Sequence, residues 1–215
     1  MKLILVRHAE AAGDPHATPM RPVTGFLSPA GVRQAAVTAA ALAGAGIEHL
    51  LVSPYGRAVQ TAETIARAAG DPPISVHPWL REWMPDAALK DLPSTRFEEM
   101  MRRDGERYLE ECWKTELGEG CYEMHARIVP PLYAELAALG VRRRLGGWVP
   151  DAGAERRTVA IVAHGGSLGV VASAILGLPP SPIAPLSFQL ASVAVISFTL
   201  RRGIGYPHLV VPAPG

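Results

Sequence analysis

The sequence predicts an α/β fold: a three-layer αβα sandwich on a mostly parallel sheet, in one domain covering 1–215. Three observations lead there. Short runs of leucine and β-branched residues alternate with alanine-rich segments of helical period, which implies βαβ units with right-handed crossovers. Two of the helical segments open on Ser-Pro, a capping residue followed by a first-turn proline. Between about 78 and 123 the strand runs stop and charged residues crowd together with Trp79, Trp83, Phe97, Tyr108, Trp113 and Tyr122. That segment is expected to be a helical insertion over one end of the sheet.

Taken in order, Lys2–Val6 is a buried strand that stops abruptly at Arg7-His8. After a polar loop, Ser28-Pro29 starts a helix whose apolar stripe is Val32, Ala35, Ala36, Ala39 and Ala43, closed by Gly44. His49–Val52 is the second strand, and Ser53-Pro54 starts a helix ending near Gly70. Within the insertion, Thr95 and Glu98 resemble a capping box for a helix to about Lys114. Ile128–Leu139 has helical period, with a restart or kink expected at Pro130-Pro131. Val141–Arg157 reads as an exposed Arg- and Gly-rich loop. Thr158–Ala163 is a buried strand, His164-Gly165-Gly166 a turn, and Ser167–Leu176 a helix stopped by Gly177. Val193–Leu200 is a last clear strand, and His208–Val211 a candidate edge strand.

The 215 residues include 21 Lys+Arg and 20 Asp+Glu, a net charge of +1, with 48% hydrophobic residues. A near-neutral balance gives no reason to expect nucleic acid or an anionic membrane as partner. Two cysteines, Cys112 and Cys121, exclude a disulfide scaffold and a four-cysteine zinc site, and they suit a reducing cytoplasm. The apolar start Leu3–Val6 is too short for a signal core. Val159–Leu178 is long enough to span a bilayer, but it contains His164-Gly165-Gly166 and reads as strand, turn, helix. A soluble, cytoplasmic protein is expected, with a homodimer left open.

The chemistry concentrates at strand ends. His8 and His164 each follow a buried strand, where open parallel sheets place their ligands. Arg7, ending a buried strand, needs a partner for its charge. Arg57 lies in the first turn of a helix, the end of the macrodipole that basic side chains avoid, and an anion there resolves the conflict. Two arginines, two histidines and helix N-termini at one sheet edge describe a phosphate site, and the planar guanidinium fork suits phosphate oxygens.

Leu5-Val6-Arg7-His8-Ala9-Glu10, Ser53 to Ala62, and Ala163-His164-Gly165-Gly166 resemble, in order, three signature blocks of the histidine phosphatase superfamily, which includes cofactor-dependent phosphoglycerate mutases. Leu27-Ser28-Pro29-Ala30-Gly31 with Gln34-Ala35 resembles the block that opens the family's first helix. The resemblance spans residues 3 to 170. It implies His8 as nucleophile, Arg7, Arg57 and His164 as phosphate ligands with His164 also catalytic, and Glu82 of Leu80-Arg81-Glu82 as proton donor. It also implies that the insertion at about 78–123 caps the active site. Ala9 replaces the family's usual glycine. The family's phosphate-binding asparagine is missing, because the chain contains none. A backbone N–H near Gly13 or the hydroxyl of Thr24 is the expected substitute, and Thr24 and Gly165 are candidate substrate-binding positions. The glycine usual after the acidic residue is absent from Glu82-Trp83-Met84-Pro85-Asp86, so Asp86 stands as the alternative donor.

In this scheme neutral His8 attacks phosphorus, and Arg7, Arg57 and a protonated His164 hold the non-bridging oxygens. A carboxyl protonates the leaving group and then activates water. Burial of Glu82 among Trp79, Trp83 and Met84 is expected to keep it protonated. The site implies a small phosphorylated substrate, with no cofactor and no metal. The reading is a phosphomonoester hydrolase acting through phosphohistidine, with a phosphoglycerate mutase and a non-catalytic phospholigand-binding module as alternatives.

Three other motifs compete. Gly165-Gly166-Ser167-Leu168-Gly169 matches a nucleophile elbow, yet no Asp or Glu follows Ser167 to complete a triad. Cys121 and Arg127 have C-x5-R spacing, but the residues between lack glycine and look helical. No HxH, HxxxH, DxD or GxxxxGK occurs. His16, His49, His77, His125 and His208 have no partner motif. Arg142-Arg143-Arg144 reads as a solvated loop, with a grip on an anionic substrate tail as the functional option.

Overall fold

The structure, a computed structural model, describes residues 1–13, 25–84, 95–96, 98–99, 102, 118–144, 146–179 and 186–210. Among these, eight strands form one sheet: β1 (Lys2–Arg7), β2 (His49–Val52), β3 (Ile74–Val76), β4 (Val141–Arg144), β5 (Gly147–Pro150), β6 (Thr158–Ala163), β7 (Val193–Arg201) and β8 (Ile204–Val210). Four α-helices accompany them: α1 (Pro29–Leu42), α2 (Gly56–Ala68), α3 (Cys121–Ala138) and α4 (Gly165–Leu176).

The strand order is β3-β2-β6-β1-β7-β8-β5-β4. Neighbours from β3 to β1 are parallel, and every pairing from β1 to β4 is antiparallel. The sheet is therefore mixed, which corrects the mostly parallel expectation. Two hairpins cause the difference. One is β7–β8, turning at Arg202 and Gly203, both at positive φ. The other is β4–β5, which occupies part of the segment expected to be a loop. The last strand is also not an edge: β8 lies between β7 and β5, and the edges are β3 and β4. The three-residue β3 had no counterpart in the sequence reading.

Alternation along the parallel strands divides the core in two. Leu3, Leu5, Val159 and Ile161 pack with Ile128, Leu132 and Leu136 of α3 and with Leu168, Val171 and Ile175 of α4. Ile4, Val6, Ala160 and Val162 pack instead with Ala39 and Leu42 of α1 and Ala58, Ala62 and Ile65 of α2. The helices after β1 and β6 thus leave the sheet on opposite faces, although the two strands are neighbours. That divergence opens a crevice at their carboxyl ends.

Helix boundaries follow local chemistry with three corrections. Ser28 caps α1 as expected, its Oγ accepting from the Gly31 N–H at 2.9 Å. Ser53 does not cap α2, whose N-cap is Tyr55. Helix α3 begins at Cys121, inside the expected limits of the insertion, and runs through Pro130 and Pro131 without a break. The 78–123 segment otherwise contains a 3-10 turn at Pro78–Leu80, and residues 95–96, 98–99 and 102 are helical. The rest of that expected insertion, with most of its helix to Lys114, lies outside the described residues. Among the described residues no helix is long and apolar enough to cross a membrane, and Val159–Leu178 resolves into β6, the single residue His164 and α4, which starts at Gly165, two residues before the expected Ser167.

Candidate active site

Strand register brings the predicted residues together. Arg7 pairs with Ala163 on β6, so His8 and His164 leave adjacent strands at the same level. Val52 of β2 pairs with Val162, which places Ser53 beside them on the other side of β6. The imidazole centroids of His8 and His164 are 4.9 Å apart.

His8 is buried, and its Nδ1 lies 2.7 Å from the Ala9 carbonyl. Nδ1–H donates there, which leaves the lone pair on Nε2. That nitrogen accepts from Arg57 Nε at 3.2 Å. The loop after β1 is tied to α2 by Thr61, whose Oγ1 accepts from the Ala9 N–H at 3.1 Å and donates to the Arg57 carbonyl at 2.8 Å. The helix that carries Arg57 is thus joined, through the backbone carbonyl of Arg57 itself and the side chain one turn on, to the residue that follows His8.

Arg57 is buried in the first turn of α2, with its guanidinium carbon 4.7 Å from the Tyr55 ring centroid. Its Nη2 lies 3.4 Å from His164 Nδ1. His164 Nε2 is 2.7 Å from Ser53 Oγ, so Nε2–H donates to the hydroxyl and Nδ1 accepts from Arg57. Burial, with His8, Arg57, Arg7 and Arg127 adding to it in that order, pushes the His164 pKa well below 6.5. His164 is therefore neutral in the folded chain at neutral pH.

Arg7 reaches across the end of β1 and donates from Nη1 to the Phe188 carbonyl at 2.6 Å. A Cβ on Gly165 would lie 3.6 Å from Arg7 Cζ, so the guanidinium rests against the N-terminus of α4. That contact is ordinary and places no demand for glycine at 165. Gly166 is different: a Cβ there would lie 2.5 Å from Glu82 Oε1.

Glu82 occupies that space. Its Oε1 accepts from Ser167 N at 3.2 Å and Trp83 N at 2.9 Å, and its Oε2 accepts from Gly166 N at 3.2 Å. The carboxylate therefore sits on the N-terminus of α4, held by backbone N–H groups, where an apolar enclosure by Trp79, Trp83 and Met84 was expected. Ser167 is buried at the third position of that helix, and its Oγ accepts from His164 N at 3.2 Å, so it braces the turn and is not an exposed elbow nucleophile. Thr24 and Asp86 lie outside the described residues.

Sequence reasoning found Arg7, His8, Arg57, His164 and Glu82, which converge here. It missed four participants. Ser53, Tyr55 and Thr61 stood inside a recognised block but were not assigned a contact with the histidines or arginine. Arg127 was noticed only through its spacing from Cys121. It lies on α3 and pairs with Glu119, Nε to Oε1 at 2.6 Å. Among the described residues no group of three or more His, Cys, Asp or Glu side chains could hold a metal ion.

A sequence model of the histidine phosphatase superfamily (branch 1) matches residues 3–204. A probable phosphoglycerate mutase of Proteus mirabilis (strain HI4320) is 29% identical over 209 residues, covering 92% of this chain and 85% of that protein. The solved native structure of mycobacterial glucosyl-3-phosphoglycerate phosphatase superposes with a TM-score of 0.74 at 25% identity, covering 98% of this chain and 97% of the other. The α-ribazole phosphatase from Shigella flexneri shares the fold, with a TM-score of 0.71, 20% identity, and 98% and 96% coverage.

Proposed function

The chain belongs to the histidine phosphatase superfamily, branch 1, and from that premise we propose that it is a phosphomonoester hydrolase working through a phosphohistidine at His8 on a small phosphorylated metabolite. One observation carries this reading. His8 has its Nδ1 tied to the Ala9 carbonyl and its Nε2 turned toward Arg57, at the crevice where Arg7 and His164 also meet. A phosphoryl group drawn in by the two arginines takes over the Arg57 donor and frees the Nε2 lone pair for in-line attack.

The Nε2–P bond forms as the ester P–O bond breaks, and the departing oxygen takes a proton from Glu82, which enters this step as the neutral carboxylic acid. Glu82, now a carboxylate, takes a proton from water. The hydroxide attacks phosphorus, the N–P bond breaks, and inorganic phosphate leaves with His8 restored. Arg7 and Arg57 carry the charge on the non-bridging oxygens throughout, and His164 binds the proton that a dianion beside it favours. The positive charge the reaction needs is supplied by side chains, so turnover independent of a divalent ion belongs to the proposal. A cytoplasmic location fits the two cysteines in the sequence.

The first test is rapid quenching with labelled 4-nitrophenyl phosphate. An acid-labile, base-stable phosphoenzyme is expected in the parent protein and absent from His8→Ala; a phosphoenzyme that persists in that variant overturns the reading. A second reading, an isomerase, draws on the 29% identity with a probable phosphoglycerate mutase. Incubation with 3-phosphoglycerate separates the two, since the hydrolase releases phosphate and the mutase yields the isomer.

A further inference from the structure

Glu82 is held by an ion pair that does not itself reach its carboxylate. We propose that Arg127, locked to Glu119, is a positioning residue for Glu82, an inference that rests on the acid–base role proposed above for that carboxylate.

The guanidinium of Arg127 meets Glu119 in a two-point fork, Nε to Oε1 at 2.6 Å and Nη2 to Oε2 at 2.7 Å. Its remaining donors address backbone. Nη1 donates to the carbonyls of Trp79 at 2.7 Å and Arg81 at 3.3 Å, and Nη2 to that of Glu82 at 3.4 Å. One side chain on α3 thus fixes carbonyls of the segment leading into Glu82.

Glu119 fixes the segment leading out. Its backbone N–H donates to the Met84 carbonyl at 2.9 Å, its Oε2 accepts from Met84 N at 3.2 Å, and its carbonyl accepts from the Trp83 indole. With both ends of the segment held, the Glu82 side chain is directed onto the N–H groups of Gly166 and Ser167. Three residues before Arg127, on the same side of α3, Met124 would lie 3.3 Å from a Cβ on Gly166, so that helix packs on both the clamp and its target.

Both side chains of the pair are largely buried, 15% and 11% exposed. A buried ion pair is a poor source of stability compared with apolar residues of similar volume, so stability alone does not account for this one. A planar fork with five donors does something apolar packing cannot, which is to set the positions of several carbonyls at once. The Arg127 charge also reaches the reacting end, being among the groups that depress His164.

The test compares Arg127→Gln, Glu119→Gln, Glu82→Gln and the double variant Arg127→Gln/Glu82→Gln. Two readouts are needed: steady-state turnover of glycerol phosphate, whose leaving group requires a proton, and the burst of 4-nitrophenyl phosphate, whose leaving group does not. Glu82→Gln should lose ~10²–10⁴-fold in kcat on glycerol phosphate while largely keeping the burst. Arg127→Gln should show the same contrast, with a loss of ~10²-fold in kcat and little change in KM, as expected of a displaced catalytic group. In the double variant the loss should scarcely exceed that of Glu82→Gln alone. Glu119→Gln reads the clamp from its other side with a smaller loss of the same kind, and it decides the matter if Arg127→Gln does not fold.

Equal losses on both substrates in the clamp variants, or losses that multiply in the double variant, overturn the positioning role. If Glu82→Gln lacks the contrast, the acid–base reading falls and this inference with it. If Glu82→Gln has the contrast and the clamp variants lack it, only the inference falls.

Discussion

His164 has no exposed surface and lies between the Ser53 hydroxyl and the Arg57 guanidinium. Its pKa is well below 6.5 in the folded chain, chiefly through burial, and returns to about that value on unfolding. Between the two values the unfolded chain binds the proton and the folded chain does not. Stability from this residue is therefore intact above about pH 6.5 and is lost as pH falls toward the lower, folded value. Denaturant melts from neutral pH downward should show that loss, and His164→Gln should flatten it. On the proposed function a bound dianion favours the imidazolium, so saturating phosphate should weaken this pH dependence in the parent protein and change it less in His164→Gln. A slope unchanged by His164→Gln would mean that other groups carry the acid sensitivity.

At the scale of elements, the turn from β6 into α4 connects fold and function. It places His164 at the strand end and offers the first N–H groups of the helix to Glu82. Gly166→Ala tests this connection, because the added Cβ would meet Glu82 Oε1 at 2.5 Å and Met124 Cε at 3.3 Å. Alanine is a better helix former than glycine, and the clash is with the end of a side chain, so the fold should survive with little change in Tm. Turnover of alkyl phosphates should fall by ~10²-fold as the carboxylate is displaced. A fully active Gly166→Ala would show that Glu82 need not occupy this position. Helix α3 illustrates the other direction of influence. A proline within a helix costs about 3 kcal/mol, and two stand in α3, yet Ile128, Leu132 and Leu136 are completely buried. At about 1.5–3 kcal/mol for each such side chain, that burial offsets the prolines, so the helix continues where local chemistry predicts a break.

Across the whole molecule the net charge is only +1, so attraction for an anion is local to the crevice where Arg7 and Arg57 sit. Those two side chains can do what a divalent cation does in other phosphoryl-transfer sites. Exhaustive treatment with EDTA should leave turnover of 4-nitrophenyl phosphate intact, and vanadate should inhibit by adopting the five-coordinate geometry of the transition state. Activity lost on chelation and restored by a divalent ion would contradict this account. The sheet expresses the same division of labour at larger scale. Its parallel half, β3-β2-β6-β1, delivers Ser53, His8 and His164 to one edge, and its antiparallel half extends the sheet away from β1.

What the sequence determined by itself was everything carried by local pattern. Buried runs such as His49–Val52 and Thr158–Ala163 form strands because continuous apolar sequence is satisfied only in the interior of a covered sheet. Arg7, His8, Arg57 and His164 were legible because charged or titratable groups at the ends of such runs need an anion or one another. Strand direction was decided by the tertiary structure: β7 has the composition of any half-buried strand, and nothing in it says that it runs antiparallel to β1, with β8 then antiparallel to β7. The same holds for Arg127 and Glu119, eight residues apart, whose hydrogen bonds reach back to Trp79, Arg81 and Glu82. A contact made to backbone carbonyls more than forty residues away leaves no local periodicity or spacing. It exists only once α3 has packed against the sheet and brought its guanidinium to the segment that carries Glu82.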